Sequence, residues 1–315
     1  MKDYLALWRD FCDNGNAKPP KPPFGYYGAK QRIARRIIES LPPHNAWVEA
    51  FCGSAALTLA KPVVPIEVIN DLDGEVVNLF GQLRDNAAEL CRVIALTPYA
   101  RSEFEAAKAR SANLSPLERA RRFLVSSMMT VNGIVGSTHA GFSFSQSYAR
   151  GGKEARVCRW YNLPARLEQA AERLRRVRIE NRDARELLAM FEDRPATLVY
   201  LDPPYHAKRA HKYSVGVSDQ GFHEDLLRIC SRAKCMILIS GYESPLYDRC
   251  LCPAEGWHKT TIKTHTRDTE GKDYSRTEVL WSNRHFSEAK SSGVVPIRLT
   301  RKEKANNKVN PPRRR

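Results

Sequence analysis

No apolar run in the 315-residue sequence approaches the roughly 20 residues a membrane-crossing helix needs. The opening Met1-Lys2-Asp3-Tyr4 starts no signal-peptide pattern. A cytoplasmic protein with no membrane partner is therefore expected. The eight cysteines are scattered, without a paired Cys-x-x-Cys framework, which argues against a disulfide scaffold and for reduced thiols. Cys235 opens the apolar run Cys235-Met236-Ile237-Leu238-Ile239 and reads as a buried strand residue rather than a zinc ligand, so no metal is expected. The sequence has no internal repeat. It also has no Gly-x-Gly-x-x-Gly, which excludes the dinucleotide fingerprint.

Acidic residues are few beside basic ones. The 51 Lys and Arg against 35 Asp and Glu leave a formal charge of +16. Such an excess suits a polyanionic partner, because each cation that neutralises a phosphate releases a condensed counterion. Part of the excess sits in the last thirty residues, which end Pro311-Pro312-Arg313-Arg314-Arg315.

Residues 1–23 run into Lys18-Pro19-Pro20-Lys21-Pro22-Pro23 and read as an extension and extended linker. Beyond them residues 31–40 look helical. Ala46–Phe51 reads as a strand turning at Cys52-Gly53-Ser54 into a helix at Ala55–Ala60, Val63–Ile69 as a second strand, and Glu75–Leu83 as a second helix. The β/α rhythm breaks over residues 98–175, which are mostly helical, and returns at Val177–Glu180, Thr197–Leu201, Met236–Ile239 and Glu278–Ser282. This predicts an α/β fold: a doubly wound, mostly parallel, Rossmann-like sheet in two pieces, 24–97 and 176–286, around a mainly helical insertion at 98–175. Residues 287–315 are predicted to be a disordered basic tail.

The strand Thr197–Leu201 runs straight into Asp202-Pro203-Pro204-Tyr205. Ligands of open α/β sheets bind outside the carboxyl ends of strands. The two prolines fix φ and remove two amide donors. An exocyclic amino group of a base is a poor nucleophile, because its lone pair is delocalised into the ring. The Asp202 carboxylate and the Pro203 carbonyl are two acceptors for such an NH2, and they draw electron density onto nitrogen. Tyr205 offers a face on which a flipped base stacks, worth about 1–3 kcal/mol.

Asp-Pro-Pro-Tyr after an apolar strand resembles the signature of amino-methyltransferases acting on DNA. The order of the segments is similar to that of the Dam-type (D12 class, alpha order) adenine-N6 DNA methyltransferases, over roughly residues 24–285. The resemblance implies a methyltransferase sheet, S-adenosylmethionine as cofactor, double-stranded DNA as partner, and Asp202, Pro203, Pro204 and Tyr205 as the catalytic segment, with Asp202 also next to the cofactor. Phe24-Gly25-Tyr26-Tyr27-Gly28-Ala29-Lys30 resembles the family's N-terminal motif, which gives Tyr26 and Lys30 cofactor roles. Trp47–Leu57 resembles the first-strand motif, with Glu49, Phe51 and Gly53 at the cofactor. Asp71, ending the second strand eighteen residues after Gly53, suits the ribose hydroxyls or a helix N-cap. Asp183 suits the cofactor's adenine or, equally, the cap of a following helix.

In that class the target-recognition region lies where residues 98–175 lie here. The insertion is rich in arginine, among them Arg101, Arg119, Arg121, Arg122, Arg156, Arg159, Arg166 and Arg173, read as phosphate contacts, as solvated faces or, for one or two, as readers of base edges. Thr130–Ser143 resembles a family segment but lacks its Arg-Tyr-Asn run, so GATC is not assigned as the target. The basic residues His206–Lys212 suit a mobile loop over flipped DNA or an ordinary exposed loop. The alternatives are cytosine-N4 methylation, in which Ser more often replaces the first Asp, and a catalytically inactive DNA-binding relative. Cytosine-C5 chemistry needs a Pro-Cys nucleophile, and Cys252-Pro253 has the reverse order. Monomer or weak dimer stays open.

Overall fold

The computed structural model describes residues 19–26, 30–108, 113–131, 141–145, 149–150, 152–204, 220–267 and 273–296. Among these, seven strands form one sheet: β1 (Ala46–Glu49), β2 (Ile66–Asn70), β5 (Val177–Glu180), β6 (Thr197–Leu201), β7 (Met236–Gly241), β8 (His258–Arg267) and β9 (Asp273–Ser282). Their order is β5-β2-β1-β6-β7-β9-β8. The first five run parallel, and β9 lies antiparallel to both β7 and β8. The chain builds outward from β1 to β2 and β5, then restarts at β6 beside β1. That reversal opens a crevice between the carboxyl ends of β1 and β6, the place where such sheets bind ligands.

Period-2 alternation in the strands divides the core into layers. Val48, Val68, Val199, Leu201, Ile237 and Ile239 face helices α9 (Ala184–Phe191), α10 (Gln220–Arg232) and α11 (Pro245–Cys250). Trp47, Leu198, Tyr200, Met236 and Leu238 face α1 (Ala34–Ser40), α2 (Ala56–Ala60) and α12 (Arg284–Ser292). A third cluster joins α3 (Gly74–Asp85) and α4 (Ala87–Leu96) to the helices of residues 98–175. Those are α5 (Arg101–Lys108), α6 (Pro116–Met129), α7 (Ala155–Tyr161) and α8 (Leu163–Leu174), with a two-stranded hairpin, β3 (Ala149–Arg150) and β4 (Lys153–Glu154), before α7. Phe123, Leu124 and Met128 of α6 and Leu163, Leu167 and Leu174 of α8 bury with Val76, Leu79, Phe80 and Leu90. Residues 98–175 therefore share their apolar core with α3 and α4 across the described residues.

Arg173 locks this layer to the sheet. Its guanidinium is fully buried, pairs with Glu67 of β2 and donates to the Thr58 carbonyl at 2.7 Å. Lys61 pairs with the same Glu67 at 2.9 Å. Arg173 is thus neither a solvated residue nor a phosphate contact. Arg119, Arg121 and Arg122 are likewise engaged, with Glu75, with Glu103 and Glu118, and with Glu118 respectively.

Two expectations are corrected at the chain's ends. Residues 284–292 form α12, which buries Phe286 and Ala289, so the helix replaces the start of the predicted tail. Asn283 caps it: its Oδ1 accepts from the Phe286 amide at 3.0 Å and from the Ile237 amide at 3.1 Å. In the expected linker, Pro20, Pro22 and Pro23 are buried, and the Pro22 carbonyl accepts from Arg166. Residues 1–18 and 297–315 lie outside the described residues, as do most of Asn132–Gly141, Tyr205 and the basic stretch His206–Lys212.

Candidate active site

Asp202 stands one residue beyond β6, all of whose residues are buried. The β6–β7 register, Leu201 opposite Ile239, brings Ser240 beside it. Ser240 Oγ donates to Asp202 Oδ1 at 2.9 Å. Its single proton is then spent, so the Tyr200 hydroxyl, 2.6 Å from Ser240 Oγ, is the donor in that contact. Lys30 Nζ lies 2.6 Å from each Asp202 oxygen and 3.3 Å from Glu278 Oε1. Glu278 sits on β9 just past the pairing of Gly241 with Val279, so the sheet order places it at this end.

The electrostatics follow from burial. Desolvation by itself disfavours the Lys30 ammonium, but Asp202, Tyr200 and Glu278 outweigh it and hold its pKa above the ordinary value. Glu278 is pushed up to about 7, by burial first and by Asp202 next, with Lys30 opposing. Asp202 keeps 18% of its side chain exposed. Each ionised carboxylate oxygen has two lone pairs, so Lys30 and Ser240 leave acceptor capacity on that open side.

The other wall of the crevice is built by the turn after β1. Gly53 has φ +46° and Ala55 φ 52°, both left-handed. A Cβ on Gly53 would stand 2.7 Å from Tyr26 Cδ1, so only glycine lets the Tyr26 ring lie against this turn. Asp71 Oδ2 accepts from the Gly53 amide at 2.8 Å and Oδ1 from the Asp73 amide at 2.9 Å. Burial raises the Asp71 pKa to about 6 against those two bonds. Asn70 fastens the strand ends: its Nδ2 donates to the Ala50 carbonyl at 2.9 Å, and its Oδ1 accepts from the Arg182 amide at 2.9 Å. The cap of α3 is Asp73, not Asp71.

The structure thus brings Tyr26, Gly53 and Asp71 together on one side and Lys30, Asp202, Pro203 and Pro204 on the other. Lys30, expected at the cofactor, grips the Asp202 carboxylate. Glu49 turns inward: its Oε2 accepts from the Thr58 amide at 2.9 Å and from the Thr58 hydroxyl, and burial pushes its pKa up to about 7. Phe51 packs edge-on against Phe222 with ring centroids 6.2 Å apart. Asp183 caps α9 through the Arg185 amide at 2.8 Å and pairs with the Arg185 side chain at 2.7 Å. Ser240, Tyr200, Glu278 and Asn70 were missed by sequence reasoning. The available signal was a polar atom at the end of an otherwise apolar strand, as in Met236–Gly241.

A doubly wound sheet with a carboxylate at each lip of its switch-point crevice defines a Rossmann-like α/β enzyme. The model of the D12 class N6 adenine-specific DNA methyltransferase family matches residues 26–259. The chain belongs to that family, and it is an enzyme that transfers a methyl group to N6 of adenine in DNA. Among solved structures, the precorrin-6y C5,15-methyltransferase of Geobacter metallireducens GS-15 is similar at 11% identity and a TM-score of 0.37, over 86% of this chain and 94% of that one.

Proposed function

We propose that the methyl donor is S-adenosylmethionine, held at the β1–β2 side of the crevice, and that the acceptor is an adenine flipped out of double-stranded DNA onto the Asp202 side. The observation that carries this is the pair of carboxylates, Asp71 and Asp202, fixed at the two lips by backbone amides and by Lys30 with Ser240. Asp71 suits the two ribose hydroxyls. The Gly53 turn under Tyr26 leaves backbone open to the methionine end, and Phe51 and Asp183 flank the adenine end. Glu49 supports the turn through Thr58 at the start of the same crevice. When bound, the donor supplies an electrophilic methyl group on a sulfonium.

The chain's own residues then do the following. Asp202 and the Pro203 carbonyl accept hydrogen bonds from the N6 amino group and raise electron density on nitrogen. As nitrogen takes the methyl group and sulfur keeps the electron pair of the broken bond, the one surplus N6 proton leaves on the Asp202 side. Pro203 and Pro204 hold that geometry rigid. Tyr205 stacks on the base. In-line displacement requires alignment above all, and fixed acceptors provide it. Residues 98–175 form the target-recognition region, and the protein works in the cytoplasm. Calorimetric titration with S-adenosylmethionine tests the donor half. Asp71→Ala is expected to weaken binding at least tenfold by losing two charge-assisted bonds, worth about 1.5–3 kcal/mol each. Unchanged affinity in that variant would remove Asp71 from the donor site.

A further inference from the structure

Among the described residues, three arginines beside the segment that leads into the crevice pair with no carboxylate. Arg156 and Arg159 lie on α7 and Arg166 on α8. Among the described residues none of the three makes an ion pair, whereas Arg119, Arg121, Arg122 and Arg173 all do. They stand close enough to disturb one another. Burial lowers the Arg159 pKa and the Arg156 charge lowers it further; burial and then Arg159 bring Arg166 down to about 10. Arg166 Nε is buried with no hydrogen-bond partner, while Nη2 donates to the Pro22 carbonyl. Arg159 Nη2 lies 3.6 Å from where a Cβ on Gly25 would be, one residue before Tyr26. Glu154, on the strand just before α7, spends an oxygen on the Ser145 amide at 2.6 Å.

The exposed Arg159 adds like charge beside the partly buried Arg166, which opposes folding unless something offsets it. A bound oxyanion does so, and the planar guanidinium fork matches phosphate oxygens in paired hydrogen bonds. We propose that Arg156, Arg159 and Arg166 form a phosphodiester-binding site that takes a backbone phosphate of the DNA presented to the Asp202 crevice. The site lies on the face of the insertion that touches residues 22–25, so it would fix the duplex relative to both the recognition helices and the crevice. The proposal rests on the reading of DNA as substrate. The other oxyanion within reach of this segment is the carboxylate of the methyl donor, and the test separates the two.

The full chain carrying Arg156→Gln and Arg159→Gln would be titrated with a fluorescent duplex oligonucleotide at stepped salt. Calorimetry with S-adenosylmethionine would run in parallel. The proposal expects weaker duplex binding, a plot of log K against log salt shallower by about 1 to 2, and unchanged donor affinity. Arg159→Lys, which keeps the charge, should retain most of the slope. Wild-type duplex affinity and slope in the double variant would overturn the proposal. So would lost donor affinity with duplex binding intact, which would place the donor's carboxylate there. If the double variant melts early, Arg159→Gln alone is read against the same outcomes, since Arg159 is solvent-accessible. Failure of the wild-type protein to methylate adenine while the salt slope still falls would count against the function and leave this site standing.

Discussion

At the residue scale the proposed active site is a matter of how one carboxylate is held. Asp202 receives Lys30 on both oxygens and Ser240 on one, and Tyr200 feeds a proton into Ser240. Losing a hydrogen bond to a charged group costs about 1.5–3 kcal/mol. Ser240→Ala is therefore expected to lower kcat by roughly ten- to a hundredfold while leaving donor affinity intact, which single-turnover kinetics beside calorimetry would show. A matching loss of donor affinity would mean that Ser240 serves the other lip. Asp71 gives a second residue-scale expectation. Its pKa near 6 reflects burial, and hydroxyls donated by a ribose favour the ionised form. Donor binding should therefore lower that pKa and release a proton, most strongly around pH 6, and affinity should rise with pH through that range. Calorimetry in buffers of different ionisation enthalpy measures the release directly, and proton uptake would contradict the ribose role.

At the element scale, Arg173, Glu67 and Lys61 tie α8 to β2 and to the end of α2. Removing one member of a buried ion pair leaves the other uncompensated, at a cost of about 3–5 kcal/mol. Arg173→Met should lower stability by that order in denaturant titrations. The double change Arg173→Met with Glu67→Leu should recover part of the loss. Equal stability of Arg173→Met and wild type would show that the pair does not hold α8. Elements also set what the sequence could disclose. Strands β1, β6 and β7 were legible because every residue in them is buried and most are apolar, while β2 and β5, with charged and exposed positions, were legible from their place in the β/α rhythm. The edge strand β8, His-Lys-Thr-Thr-Ile-Lys-Thr-His-Thr-Arg, went unread because an edge needs charge rather than apolar alternation. Helix α12 buries only a narrow stripe, so its composition looks like a tail. Its Asn283 cap and the left-handed Gly293 that ends it were the legible signs.

At the scale of the whole molecule, the position of Asp202 at the carboxyl end of β6 was legible because its signal is local: strand, acid, two prolines. Its support was not. Lys30, Ser240 and Glu278 come from separate parts of the chain: the sheet order brings Ser240 and Glu278 to Asp202, and the short turn Lys30–Arg32 brings Lys30. The mostly helical character of residues 98–175 was legible, yet their shared core with α3 and α4 was not, because shared burial leaves no boundary in the sequence. One linkage acts on the whole fold. Glu49, Asp71 and Glu278 all have folded-state pKa values raised by burial, to about 7, 6 and 7. Between their ordinary values near 4 and these raised ones, the folded state binds more protons than the unfolded, so their contribution to stability falls as pH rises through that window. Glu49→Gln should flatten the fall between about pH 5 and 7 in thermal melts, and an unaltered pH profile would mean that Glu49 is ionised throughout.

The most direct test of the account is transfer of label from methyl-labelled S-adenosylmethionine to duplex DNA, followed by digestion and separation of the nucleosides. The wild-type protein should place label in N6-methyladenine. Asp202→Ala should abolish that transfer while still binding the donor. Label confined to cytosine, or full transfer by Asp202→Ala, would contradict it.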